Sequence, residues 1–285
     1  MNSQHELLKR LIKAFSANAL KEVFNLVEPK GRQADHISQI VQSNSEKIIK
    51  DTLFANFSLL KQHVYTYDCK GSFSTNWLLN HPSLYSIFDL SKSHKIYNLL
   101  YLTTFEFYNK TKAITQEIQF YTPVQVVQKG TKLIVHINIL ERDISTIFKD
   151  KVVRTNRDVN DDIILENISK SLPLTLSIAR ADLNKGIKKL WDDDEIDALN
   201  VKYNNARSIS SENMNEQYLV KAEYPEKYDV LIKTPLSHTT FKVLKAKNLI
   251  NFFKVDPTRG TFSFAVFPQN QAGITELIDL ILKHN

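Results

Sequence analysis

The sequence predicts an α+β protein, a small N-terminal helical bundle followed by a mixed, largely antiparallel sheet with flanking helices. Two observations predict it. Over residues 5–60 the apolar side chains recur three and four apart, the period of helices with one buried face. Beyond residue 100 they gather into short runs rich in Val, Ile, Thr, Phe and Tyr, separated by turns, which is how strands read.

Leu7, Leu8, Leu11, Ile12 and Phe15, then Leu20, Val23 and Phe24, predict one or two amphipathic helices over 5–26. Residues 28–32, with Pro29 and Gly31, form a turn. Ile37, Ile40 and Val41 mark a further helix. Residues 43–45 cap another, through Ile48, Ile49, Leu53, Phe54, Phe57 and Leu60. The bundle is expected to occupy 1–62 and a mixed α/β domain 63–200. In that domain 64–67 reads as extended and 77–102 as mixed helix or loop with many aromatics. Strands follow at 103–108, 113–121, 124–127 and 133–140, with Lys129, Gly130 and Thr131 as a hairpin turn. The charged stretch 152–162 reads as exposed loop, and 163–172 as a helix stopped by Pro173. Residues 174–179 read as extended and 183–190 as helical. The acidic run 192–197 and the polar stretch 201–217 are expected to be loop. The C-terminal part, 218–285, is expected to run strand, helix, hairpin, helix and to pack with the middle region. Its strands fall at 218–222 and 228–234 and its helix at 239–247. Runs at 249–255 and 261–267 flank the turn from Asp256 to Gly260, and a helix closes the chain over 271–283.

Composition narrows the function. With 285 residues, 42% hydrophobic and 24% charged, the chain can bury one large or two modest cores. No apolar run approaches a membrane span, and the first residues lack the basic-then-apolar pattern of a secretory signal. The single cysteine, Cys69, fits a reducing compartment. The expected setting is intracellular, the nucleus in a eukaryote or the cytoplasm in a bacterium. The net charge is +6 and unevenly spread: residues 121–220 hold 14 Lys and Arg against 15 Asp and Glu, and the flanking segments 23 against 16. Such polarity suits a basic face that meets a polyanion.

Catalytic patterns are incomplete. The six glycines, at 31, 71, 130, 186, 260 and 273, are too far apart to cradle a phosphate, so nucleotide-binding loops are not expected. The eight histidines form no metal-ligand spacing, and the acidic run 192–197 lacks the glycine and alternation of a calcium loop, reading instead as a solvated loop or a helix N-terminus. His63 and Cys69 are six apart, which does not by itself place a base beside a thiol. A restriction-type nuclease needs an Asp followed by Glu-x-Lys; Asp229 and Lys233 lack the Glu, and Glu106 and Glu117 lack the Lys. No cofactor, metal or enzymatic activity is expected.

Binding is what remains. Lys9, Arg10 and Lys13 lie within about one helical turn on the polar side of the Leu7, Leu8 and Leu11 stripe. Lys30 and Arg32 bracket Gly31 just before a helix start, where backbone N–H groups favour an anion. Lys110 and Lys112, with Lys129 and Lys132, add a basic edge to the sheet. A second basic segment, Lys242, Lys245, Lys247, Lys254 and Arg259, interleaves with Phe241, Phe252 and Phe253, aromatics that fit a core more readily than a base-stacking platform.

Two resemblances point the same way. Leu20, Val23 and Phe24, with Lys30, Gly31, Arg32, Ile37 and Ile40, resemble a SAP module, a helix-loop-helix DNA binder, over residues 20–41; the loop is two residues shorter and His36 stands where an apolar residue is usual. More broadly the chain resembles the CENP-N family of inner-kinetochore subunits. The opening helix from Glu6 to Lys13 with its Lys9 and Arg10 pair, the helix ending at 61–63 before Val64 to Tyr67, and the segment from Asp229 through Asn251, Lys254 and Gly260 to Ser263 carry the likeness. The chain departs from that family in being short, in lacking prolines in the middle domain, and in a final helix over 274–283. The resemblance implies double-stranded DNA or a nucleosome as one partner and a related protein subunit, in a hetero-oligomer, as the other, with no membrane. The expectation is a DNA- or chromatin-binding subunit whose phosphate contacts are Lys9, Arg10, Lys13, Lys30, Arg32, Lys110, Lys112, Lys129 and Lys132. The alternatives are a protein-interaction scaffold that never touches DNA and a bacterial antiviral or degenerate nuclease-like protein.

Overall fold

A computed structural model describes residues 4–26, 31–73, 76–91, 93–139, 152–154, 159–205, 208–213, 219–245 and 250–285. The class is α+β, with helices beside a large antiparallel sheet. The chain divides into two compact units. The first is Met1–Leu60, Gly71–Gly130 and Val135–Ser177; the second is Lys61–Lys70, Thr131–Ile134 and Ile178–Asn285. No helix among the described residues is long and apolar enough to cross a membrane.

The first unit begins with α1 (Gln4–Ile12), α2 (Ala17–Val23), α3 (Gln33–Ser43) and α4 (Glu46–Ala55). Their starts are fixed locally. Ser16 accepts a hydrogen bond from the Ala19 N–H and Ser45 from the Ile48 N–H, satisfying donors that the first turn leaves open. The periodic residues pack as expected: Leu8, Leu11, Ile12, Phe15, Leu20, Ile37, Ile40, Ile49, Leu53 and Phe54 are all buried in one cluster. His36 is buried as well, and neither ring nitrogen finds a hydrogen-bond partner among the described residues. Tyr85, Leu100 and Tyr121 from the sheet pack on this same cluster, so the helices share a core with strands rather than enclosing one alone.

Those strands are β2 (Leu84–Ser91), β3 (His94–Asn109) and β4 (Ile114–Lys129), with β6 (Val152–Arg154) also on β3. The stretch 77–102, expected as mixed helix or loop, is therefore mostly β2 and the first half of β3. Residues 97–99 are buried in succession, so the alternation that betrays a half-exposed strand is missing. The two strands expected at 113–121 and 124–127 are one, running through Pro123. Pro123 pairs with Leu100, whose own N–H goes to the Ser83 carbonyl, so β3 asks no hydrogen bond of the proline. β5 (Lys132–Asn138) follows the Gly130 turn, where φ is 59°. His136 on β5 is buried with its ring edge-on to Phe57, and burial pushes its pKa down from 6.5 to about 4. Within the exposed loop expected over 152–162, residues 152–154 form β6 and 159–162 begin α5 (Val159–Lys170), while 155–158 lie outside the described residues.

The second unit is built on an antiparallel sheet in the order β1, β12, β11, β10, β8, β9. These are β1 (Gln62–Lys70), β8 (Ile196–Asn205), β9 (Ser208–Asn213), β10 (Leu236–Val243), β11 (Phe252–Asp256) and β12 (Thr261–Phe264), while β7 (Ser177–Arg180) pairs with β1. The helices are α6 (Asn184–Asp192), α7 (Val220–Glu223), α8 (Pro225–Leu231) and α9 (Gly273–His284). One sheet face is core: Phe241, Phe253, Phe262 and Phe264 are buried in a chain of ring contacts that Trp191 of α6 completes 5.4 Å from Phe241. Helices α6 and α9 cross so closely that a Cβ on Gly186 would lie 2.2 Å from the Ile281 carbonyl oxygen. That approach demands glycine.

Four expectations for this part are corrected. The strands read at 218–222 and 228–234 are α7 and α8. Pro225 opens α8 at a position where its missing N–H costs nothing, and Tyr228 and Leu231 bury one helical face. Of the helix read at 239–247, residues 239–243 lie in β10, where Leu236, Thr239 and Phe241 point inward and Lys242 is exposed, and 246–247 lie outside the described residues. Pairing on both sides, to β11 and β8, overrides a charge spacing that also suits a helix. The segment 218–285 thus runs helix, helix, strand, hairpin, helix. The polar loop expected over 201–217 contains the end of β8 and all of β9. Finally, the acidic run is not at a helix N-terminus: it spans the last residue of α6, the expected loop as a turn over 193–195, and the start of β8. Lys189 pairs with Asp193 and Lys221 with Asp194, while buried Asp197 accepts from Trp191 Nε1 and the Lys221 and Ala222 N–H groups.

Candidate nucleic-acid interface

Of the N-terminal cations, Lys9 and Arg10 are engaged within the first unit. Lys9 lies 3.1 Å from the Glu6 carboxylate. Arg10 Nη1 donates to the Gln119 carbonyl at 2.7 Å, and the guanidinium sits 5.3 Å from the centre of the Phe120 ring. Burial draws the Arg10 pKa below its ordinary value, with Glu6 opposing. Its role is to dock α1 on β4. Lys13 follows α1 in a turn and is partly buried. Arg32 is exposed at the start of α3, but Asp35 Oδ2 accepts its backbone N–H at 2.8 Å, so a carboxylate already occupies the place of a phosphate. Lys30 lies outside the described residues.

The basic sheet edge also comes apart. The β3–β4 ribbon keeps one register from His94 opposite Lys129 to Asn109 opposite Ile114. Lys110 and Lys112 occupy the turn at one end and Lys129 the other, roughly 50 Å away for strands of that length. Lys132 forms an ion pair with Asp68. Glu106 and Glu117, both exposed, face each other across the ribbon near the Lys110 end.

A different set of cations converges on the second unit. Its sheet has one face buried under aromatic core; the opposite face follows from register. His63 pairs with Ser263, Ser263 with Lys254, Lys254 with Thr240, and Thr240 with Asn200, making one row across five strands. Phe252 pairs with Lys242 in the adjoining row, and Lys202 lies two residues from Asn200 on the same face. Lys202, Lys242 and Lys254 are exposed, and none has a carboxylate partner among the described residues. Lys242 and Lys254 are diagonal neighbours, about 7–8 Å apart at Cα. Phe252 is 42% exposed between them, whereas Phe241 and Phe253 are core.

The nearby carboxylates are turned to other tasks. Asp197, directly across from Lys242, is held by Trp191 and α7 as described. Asp256 is buried, caps the following turn through the Arg259 N–H, and lies 3.5 Å from His238 Nε2 and 3.9 Å from Arg259 Nε. Lys245 gives its ammonium to the Asp193 carbonyl. On β7, Arg180 covers Tyr65 and Tyr67 at 4.6 and 4.5 Å. Lys247 lies outside the described residues. The sequence does flag this segment, but a helix at 239–247 would not set Lys242 beside Phe252 and Lys254; only cross-strand register does.

The remaining candidates do not assemble. His63 and Cys69 are six residues apart on one strand, about 20 Å, and burial pushes the Cys69 thiol up to about 11, with Asp68 adding to the shift. Asp229 lies on α8 and Lys233 in the turn after it, not along a hairpin. A cleft of about 540 Å³ is lined by Glu46, Lys47, Lys50, Asp51, Tyr85 and Ser86. Its charges are paired internally: Lys47 with Asp51, Lys50 with Glu46, and the Tyr85 hydroxyl donating to Asp51 at 2.6 Å. No group of three His, Cys, Asp or Glu side chains is poised for a metal ion among the described residues. No family model, curated protein or solved structure matches this chain.

Proposed function

We propose that the chain is a non-enzymatic DNA-binding protein that holds the polyanion against the open sheet face of its second unit. One observation carries the reading: Lys202, Lys242 and Lys254 share that face without carboxylate partners among the described residues, beside an exposed phenylalanine. Unpaired cations can each displace a condensed counterion, which drives nucleic-acid association. The resemblance to the CENP-N family supports the same setting, a chromosome-associated complex with a second protein subunit. The protein-docking alternative draws on Leu244, Phe252 and Val266, 43%, 42% and 62% exposed in this unit.

Fluorescence anisotropy with a labelled DNA at stepped salt separates them. Affinity is expected to fall linearly on a log–log plot, and Lys242→Glu with Lys254→Glu to flatten the slope by roughly 1.4 to 1.8, about two phosphate contacts. A protein that binds no DNA at about 50 mM salt, where such contacts are strongest, leaves the docking alternative.

A further inference from the structure

We infer that the nucleic acid taken by this face is single-stranded, with Phe252 stacking on a base and Lys242 and Lys254 meeting the flanking phosphates. The inference rests on the DNA-binding reading above and sets an unpaired strand in place of the duplex that the family resemblance implies. It begins with shape. A sheet of six strands is about 24 Å wide at ordinary strand spacing, too broad for the roughly 12 Å major groove that admits a helix or a two-stranded ribbon. Pressed against a duplex, such a face reaches phosphates only, and Phe252 stays in water.

An unpaired strand satisfies both kinds of group. Its bases can splay out and lie on an aromatic ring while its backbone runs past the lysines. Phe252 is the ring available for this: it makes no ring contact among the described residues, while the Tyr65 and Tyr67 rings are already covered by Arg180. The two lysines straddle it, one directly across the strand pair and the other two residues along. Thr240, Ser263 and Asn200, in the same row, add hydroxyl and amide groups without negative charge.

The full chain is titrated against a labelled mixed-sequence DNA strand, the same strand annealed to its complement, and the matching RNA strand. The DNA single strand is expected to bind at least tenfold tighter than the duplex, and the RNA arm reports whether the sugar is discriminated. Phe252→Ala is expected to weaken single-strand binding by roughly 5-fold to 150-fold, the range for one lost base stack, with the salt slope unchanged. Phe252→Tyr restores it. In the unaltered protein, a 5-iodouracil-substituted strand photo-crosslinks to the peptide containing Phe252. A duplex bound as tightly as the strand, or crosslinks confined to other peptides, overturns this inference and leaves the DNA-binding reading standing. Failure of all three nucleic acids to bind overturns that reading instead.

Discussion

The two sets of cations differ in what surrounds them rather than in number. In the first unit Lys9 has Glu6 one helical turn away, Arg10 is bound to the Gln119 carbonyl, and Asp35 stands at the α3 start beside Arg32. In the second, Lys202, Lys242 and Lys254 stand on one sheet face, and Asp197, across from Lys242, and Asp256, two residues after Lys254, face other donors. A dense run of Lys and Arg in sequence is therefore a poor measure of available charge. What counts is the charge left over after local carboxylates and carbonyls have been answered.

Several substitutions break or sharpen this contrast. The largest effect removes the frame beneath the free lysines. Gly186→Ala drives a Cβ into the Ile281 carbonyl and is expected to cost roughly 3 kcal/mol, outweighing about 1 kcal/mol gained in helix propensity; an unchanged urea midpoint would mean that α6 and α9 can part cheaply. Next comes the buried His136 of the first unit. Its folded pKa lies below its unfolded one, so its contribution is intact above pH 6.5 and is lost as pH falls toward 4. The loss reaches roughly 3 kcal/mol, and His136→Gln is expected to flatten that part of the stability–pH curve. Arg10→Ala, by removing a charged hydrogen bond to Gln119, is expected to lower unfolding free energy by about 2 kcal/mol. If chemical denaturation shows no loss, Arg10 is not structural and the contrast weakens. His36→Leu is expected to raise stability by roughly 1 kcal/mol, since a buried ring without partners gives way to an apolar side chain. The smallest effect sharpens the contrast most: Lys242→Ala with Lys254→Ala should change stability by less than about 0.5 kcal/mol, because neither ammonium has an ion-pair partner among the described residues.

Much of the frame was legible in the sequence. The apolar spacing from Leu7 to Phe54 locates four helices and the core they share. The turns at Gly130 and Gly260 are marked by residues that accept a φ of 59°. What was not legible depends on partners distant in sequence. Phe241 and Lys242 fit a helix as well as a strand until Phe252, Phe253 and β8 are placed beside them. Tyr97 to Leu99 lose their alternation because both faces are covered. The candidate site belongs to this second class. Its residues were visible as a basic, aromatic segment, but their common face is a property of register across five strands.

One titration tests the central claim. Two charge-reversed proteins, Lys9→Glu with Arg32→Glu and Lys242→Glu with Lys254→Glu, are compared with the unaltered chain on the same DNA across a salt series. The account predicts that the second pair weakens binding and flattens the salt slope, while the first leaves both near their original values. Loss of binding in the first pair with none in the second would contradict it.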